Sequence, residues 1–241
     1  MSDWWTVVRK ETIEMIALWR GRGKISFLML IGVFGVYFPW SIGPKWVTSP
    51  TTMISFAWFP IMMVTSMTAD TFAGERERHT LETLLATRLS DRVILAGKLS
   101  AAVLYGLFFL WFFILSGLIT VNIRHGQDDW ILFPSNWFIG FVLFGLLGAI
   151  FAGSLGVIVS LKSSTVRQAQ QTLNLAIIVL VLSVAGAVSF MPATWRTWLL
   201  ETFHRGDTLQ LLLMSAAMLA VIDAVILYVA RCMFRRTRLL L

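Results

Sequence analysis

A bundle of membrane-spanning α-helices is the fold class this sequence predicts, and three observations predict it. Of the 241 residues, 57% are hydrophobic and 14% charged, whereas a soluble domain has about 45–50% and about 25%. Mean hydropathy is +0.77. The apolar residues fall in runs free of Asp, Glu, Lys and Arg, each long enough for the roughly 20 helical residues that cross a bilayer. The runs are continuous rather than alternating, so they read as helices and not as barrel strands. A disordered chain, a disulfide scaffold and an ordinary soluble enzyme are excluded. The single cysteine, Cys232, has no partner of its own kind in the chain.

The elements follow in order. Residues 3–22 place Trp5, Val8, Thr12, Met15, Ile16 and Trp19 on one helical face, with Asp3, Arg9, Lys10, Glu14 and Arg20 elsewhere. Such a pattern predicts a helix lying in the membrane interface, anchored by tryptophan. Six spans are expected over about 25–44, 48–70, 97–121, 137–161, 169–191 and 208–230. Between spans two and three, residues 75–88 are dense in charge yet carry Leu81, Leu84 and Leu85 at helical spacing. Early acids (Glu75, Glu77, Glu82) and the late Arg88 suit a short helix outside the bilayer, and a partner's groove is the natural seat for three leucines on one face. Ser90 is placed to cap the next helix. Residues 192–207, with Trp195, Trp198, Leu199, Thr202 and Phe203 on one face, predict a segment dipping into the opposite interface.

Basic residues set the orientation. With the N-terminus cytoplasmic, 16 of the 20 Lys and Arg fall on the inner side, which is a strong positive-inside bias. The net charge of +7 is thereby accounted for without nucleic acid. Trp40, Trp46, Trp130, Trp137, Trp195 and Trp198 fall at the outer ends, as an aromatic belt would. The charged segment ahead of the first run, and the length of that run, do not fit a cleavable signal peptide. Termini on the inner side of a plasma membrane follow.

Within the spans, Gly145, Ala149 and Gly153 repeat every four residues, as do Gly148, Ala152 and Gly156, so span four predicts close helix packing. Span five opens on amides, among them Gln171 and Asn174, which face other helices or a cavity at membrane depth. Asp70 and Asp223 are carboxylates at or within spans and raise an alternative, an intramembrane aspartyl enzyme. The Gly-x-Gly-Asp signature of such enzymes is missing. No H-E-x-x-H occurs, His79, His125 and His204 fall in separate loops, and no metal site is expected. No G-x-x-x-x-G-K-[ST] occurs either, so any ATP must be handled by a partner.

The charged segment carries a longer pattern: Glu75-x-Glu77-x-x-Thr80-Leu81-Glu82-x-Leu84-Leu85, then Ser90, then Gly97-Lys98. This resembles the signature of type-2 ABC export permeases of the type V exporter kind, E-x-E-x-x-T-L-E-x-L-L-x-x-P-x-S followed by Gly-Lys. Lys10-Glu11 is similar to a pair that members often carry in the interfacial helix. Arg88 stands where the family has proline, and the importer motif E-A-A-x-x-x-G is absent. The resemblance implies that two such chains, identical or homologous, pair in a prokaryotic inner membrane over two ATP-binding subunits. Glu75, Glu77, Thr80, Leu81, Glu82, Leu84, Leu85 and Arg88 would form the coupling helix that docks on an ATPase. Trp58, Met62, Gln171, Asn174 and Ile178 would line the substrate pathway. ATP and Mg would sit on the partner, with no cofactor on this chain. The scarcity of charge at mid-membrane points to lipid-like or amphipathic cargo. A membrane scaffold of an ABC-like complex without transport is a second alternative.

Overall fold

The computed structural model describes residues 3–19, 23–49, 52, 56, 58–126, 129–195, 197 and 208–234, and every regular element among them is helical. The helices are α1 (Asp3–Trp19), α2 (Gly23–Leu30), α3 (Phe38–Ile42), α4 (Lys45–Thr48), α5 (Phe59–Glu77), α6 (Leu81–Leu85), α7 (Asp91–His125), α8 (Ser135–Lys162), α9 (Val166–Ser189) and α10 (Thr208–Met233). Among the described residues, three segments are long and apolar enough to cross a membrane: Asp91–His125, Trp137–Lys162 and Leu209–Met233. These helices overlap the runs expected as spans three, four and six, and the first of them extends beyond 97–121 at both ends. The run expected as span one holds a shorter apolar stretch, Leu28–Ile42, whose middle is a π-helix, Ile31–Tyr37. Wider winding lets Gly35 meet α7, where the Thr120 hydroxyl donates to the Gly35 carbonyl at 3.2 Å. In the region expected for span two, α5 runs from Phe59 to Glu77 and carries Thr65, Ser66, Thr68, Asp70 and Thr71. Most of the outer segment 192–207 lies outside the described residues.

Helices α5, α7 and α8 form the centre, with α1 along α7, α9 against α5 and α8, and α10 against α8. Small residues on α8 permit this. A methyl at Gly145 or Gly153 would come within 2.5 or 2.6 Å of Leu110 or Leu99 on α7. One at Gly148 or Gly156 would meet Ile61 or Thr68 on α5 instead. Ala149 and Ala152 are buried between the two, against Val64, Ala102 and Val103. The two ladders thus face two different helices. One turn further, the Ser160 hydroxyl accepts from the Phe72 and Ala73 amides and donates to the Ala69 carbonyl. That ties α8 to α5 where α5 approaches its charged end.

The amphipathic face of α1 divides differently from expectation. Val7, Val8, Glu11 and Met15 are buried, whereas Trp4, Trp5, Ile13 and Ile16 are exposed. The cause is α7, which covers Val8 and Met15 with Ala101, Tyr105 and, from α5, Met67. One side of α1 is therefore covered by protein, leaving the second apolar set facing outward. The side chain of Trp19 lies outside the described residues.

Candidate functional site

Residues 75–88 do not form one helix. α5 ends at Glu77, Arg78–Thr80 make a turn, and α6 is the short helix Leu81–Leu85. The turn follows from hydrogen bonds that close the end of α5: the Arg78, His79 and Thr80 amides donate to the Gly74, Arg76 and Glu75 carbonyls. The Thr80-to-Glu75 bond spans six residues and requires a left-handed residue between. His79 supplies it at φ +57°.

The buried polar side chains at this corner have definite partners. Glu75 is buried at the end of α5, and its Oε1 accepts from Lys98 Nζ at 3.2 Å and Lys10 Nζ at 3.4 Å. Its Oε2 accepts from the Thr80 hydroxyl. Lys98, 2% exposed, also donates to Glu11 at 2.8 Å. Lys10 reaches Glu14 at 3.3 Å. Five charged groups from α1, α5 and α7 thus form one network over the root of α6. Burial alone would raise the Glu75 carboxyl, but the Thr80 hydroxyl, Lys98 and Lys10 outweigh it and hold it below the usual carboxylate range. Burial likewise opposes the Lys10 charge, and Glu75, Glu11 and Glu14 together raise it above the ordinary lysine value.

The Gly97-Lys98 pair gains a physical meaning here. A methyl at Gly97 would lie 2.6 Å from the Val7 side chain, so glycine lets α1 close onto α7 while the next residue forms the ion pair with Glu11. Lys98, Lys10 and Glu11 stand in the sequence pattern, but the pattern alone gives them no site. The available signal was a lysine at the start of an apolar run, together with a Lys-Glu pair on a helix needing cover.

Two more residues at this corner hold neighbouring helices. The Arg76 guanidinium donates to the Leu161 and Ser163 carbonyls at the end of α8, the former at 3.0 Å. The Glu77 carboxylate accepts from the Val166 amide at the start of α9, at 3.0 Å. Both charges suit the helix ends they meet. Arg78 pairs with Asp70 at 3.1 Å, and Ser90 caps α7 by accepting from the Val93 amide.

The leucines divide as well. Leu81 is only 8% exposed, packed among Phe72, Ile94, Leu95, Val157, Leu161, Ala230 and Phe234, with Leu84 against the same cluster. An outward face made of all three leucines is therefore not what forms: Leu81 anchors α6 to its own chain. The side chain of Leu85 lies outside the described residues. Glu82, Thr83, Ala86, Thr87 and Arg88 are exposed. Trp58 and Met62 are exposed on α5 or just before it, and Gln171, Asn174 and Ile178 are exposed on α9. Asp70 binds Arg78, whereas Asp223 is buried on α10 without a hydrogen-bond partner among the described residues. No hydrogen bond joins the two acids, so they do not form the shared-proton dyad of an aspartyl enzyme. No group of three His, Cys, Asp or Glu able to hold a metal occurs among the described residues.

The part of this corner carried by α5, α6 and α7 falls within a known pattern. Residues 47–228 match the model of a family described as ABC-2 family transporter protein. This chain belongs to the ABC-2 transporter family. It is also similar to the ABC transporter permease protein NatB of Bacillus subtilis (strain 168), with 30% identity over 134 residues that cover 49% of this chain and 33% of that relative. The chain thus matches over about a third of that relative's length. As a member of that family it is a membrane protein, and Glu75, Thr80 and Lys98 of the ion network lie within the matched residues.

Proposed function

We propose that this chain is the permease of an ATP-driven exporter, and that α6 is the coupling helix through which an ATP-binding subunit drives it. The observation that carries the reading is the network of Lys98, Glu11, Glu75, Lys10 and Thr80. A five-residue helix is too short to be rigid alone. Rooted in three other helices by buried ion pairs and by Leu81, it becomes a fixed lever. A push on Glu82, or on Arg88 just beyond the helix, passes into α1, α5 and α7. Glu75, Thr80 and Leu81 act inside the chain on this reading, and Glu77 holds α9. Leu84 and Leu85 belong to the same helix and lie next to the docking face.

The rest of the mechanism follows from the same root. Two ATP-binding subunits would bind and hydrolyse ATP with Mg, with no nucleotide held by this chain. Two permeases, identical or homologous, would pair so that the exposed Trp58 and Met62 meet Gln171, Asn174 and Ile178 along a shared pathway. Six spans with both termini cytoplasmic in a prokaryotic inner membrane agree with the charge bias and the aromatic belt. A pathway with little charge suits lipid-like or amphipathic cargo.

The test is affinity purification of the tagged chain from its native host in mild detergent. A stoichiometric ATPase bearing a P-loop is expected to accompany the chain, and to be lost when Glu82→Lys and Arg88→Glu are introduced together. Retention of the ATPase by that charge-reversed variant would exclude α6 as the docking element. Absence of any ATPase would exclude the coupling reading itself.

A further inference from the structure

Beside the ion network lies a cavity of about 930 Å³, walled by α1, α5, α6 and α7. Its size falls in the range of sites that enclose a small ligand. The composition is divided. Val7, Met15, Met67 and Ala102 give an apolar wall, and the charged groups gather at the other side. Four carboxylates line it, Glu11, Glu14, Asp70 and Glu75, against three cations, Lys10, Lys98 and Arg78. Lys98, Glu11 and Glu75 are buried and committed to one another. The accessible charges are Lys10, which pairs with Glu14 at 3.3 Å as well as reaching Glu75 at 3.4 Å, and the pair of Arg78 with Asp70 at 3.1 Å. Half-exposed pairs of this kind cost little to open.

We propose that this cavity binds the headgroup of a phospholipid bearing a primary ammonium, with Lys10 and Arg78 on the phosphate and Glu14 and Asp70 on the ammonium. The inference deepens the coupling reading and rests on its topology, in which α1 lies at the inner membrane surface. Three features select the headgroup. An ammonium and a phosphate together match two separated ion pairs, each of which can exchange its partner for a charge-assisted bond to the ligand. The excess of one carboxylate disfavours a lipid with net negative charge. No aromatic side chain lines the cavity among the described residues, so it lacks the ring faces that hold a quaternary ammonium. A bound headgroup would touch α1, α5 and α6 together and so regulate how firmly α6 is seated. The apolar wall of Val7, Met15, Met67 and Ala102 offers a surface to the first acyl carbons.

The test uses the purified full-length chain without any ATPase, so its result does not depend on whether α6 docks a partner. Delipidated protein is titrated with phosphatidylethanolamine, phosphatidylcholine and phosphatidylglycerol of identical acyl chains and read by native mass spectrometry. One phosphatidylethanolamine per chain is expected, held about tenfold more tightly than either competitor, the equivalent of one added charge-assisted bond. Glu14→Gln and Asp70→Asn, tested separately, are expected to abolish that preference. Equal retention of the three lipids, a preference for phosphatidylglycerol, or no lipid retained would overturn the proposal. So would an unchanged preference in both variants. Free phosphoethanolamine bound as tightly as the lipid would reassign the cavity to a soluble amine phosphate. The three-lipid comparison on the unaltered chain is decisive even where a variant fails to fold.

Discussion

Lys98→Met removes the cation at the centre of the ion network while keeping the length and apolar stem of the side chain. Lys98 is 2% exposed, and its ammonium lies 2.8 Å from Glu11 and 3.2 Å from Glu75. Once it is gone, Glu75 keeps Lys10 at 3.4 Å and the Thr80 hydroxyl. Glu11 keeps only Lys10, at 3.9 Å and half exposed. A buried charge left by removal of its partner costs about 3–5 kcal/mol. In a chain of this size that lowers Tm by on the order of 10 °C. The assay is thermal unfolding in detergent, followed by tryptophan fluorescence, against Arg92→Met, which removes an exposed cation from the same helix. The triple variant Lys98→Met, Glu11→Gln, Glu75→Gln removes the stranded charges as well and is expected to recover most of the loss. A Lys98→Met chain as stable as the Arg92→Met control would refute the reasoning, and so would a triple variant less stable than Lys98→Met alone.

Three further outcomes are expected. Gly156→Ala puts a methyl 1.9 Å from the Thr68 hydroxyl and 2.5 Å from its Cβ, both buried, and should destabilise by about 1–3 kcal/mol; Gly32→Ala, with nothing within 4 Å, should cost far less in the same unfolding assay. His79→Gly relieves a left-handed residue at φ +57° and should raise stability by up to about 1 kcal/mol, whereas His79→Val should lower it. Glu75 is held below its ordinary carboxylate value in the folded chain, so the unfolded chain binds its proton first as pH falls. Its contribution is therefore full above the ordinary carboxylate range and is lost as pH drops through the folded value; Tm measured from neutral to acid pH should fall more steeply for the native chain than for Glu75→Gln.

Periodicity and run length made the long helices legible, because a lipid environment demands continuous apolar helix and leaves few alternatives. The ladder on α8 was legible for the same reason: small residues every four positions have little purpose other than close approach. The corner at Arg78–Thr80 was not legible as a corner. Nothing in Glu-Arg-Glu-Arg-His-Thr marks a break when the left-handed position is held by His79 rather than glycine. The inward turn of Leu81 was hidden too, since three leucines at helical spacing look alike whether the cover is a partner or the chain itself. The division of the α1 face depended on α7, a contact between residues about ninety positions apart, and sequence pattern along one helix carries no information about it. Lys98 was visible as an oddity, but its partners were not, because Glu11 and Glu75 come from two different elements.

The adjacent Arg76 and Glu77 fasten the end of one long helix and the beginning of the next, with a bend at residues 163–165 between them. The pair works as a single bolt through two plates. The joint between α8 and α9 cannot flex on its own schedule, because its angle is set by the position of the α5 terminus. The π-helical stretch of Ile31–Tyr37 and the left-handed corner at His79 are two places where the backbone departs from ordinary helix and on which a large rearrangement can draw. Charges that look, in one dimension, like the surface of a docking loop are in part the internal fasteners of the machine. Substitutions at Arg76 or Glu77 should therefore read out as altered helix geometry before any contact with another molecule is touched.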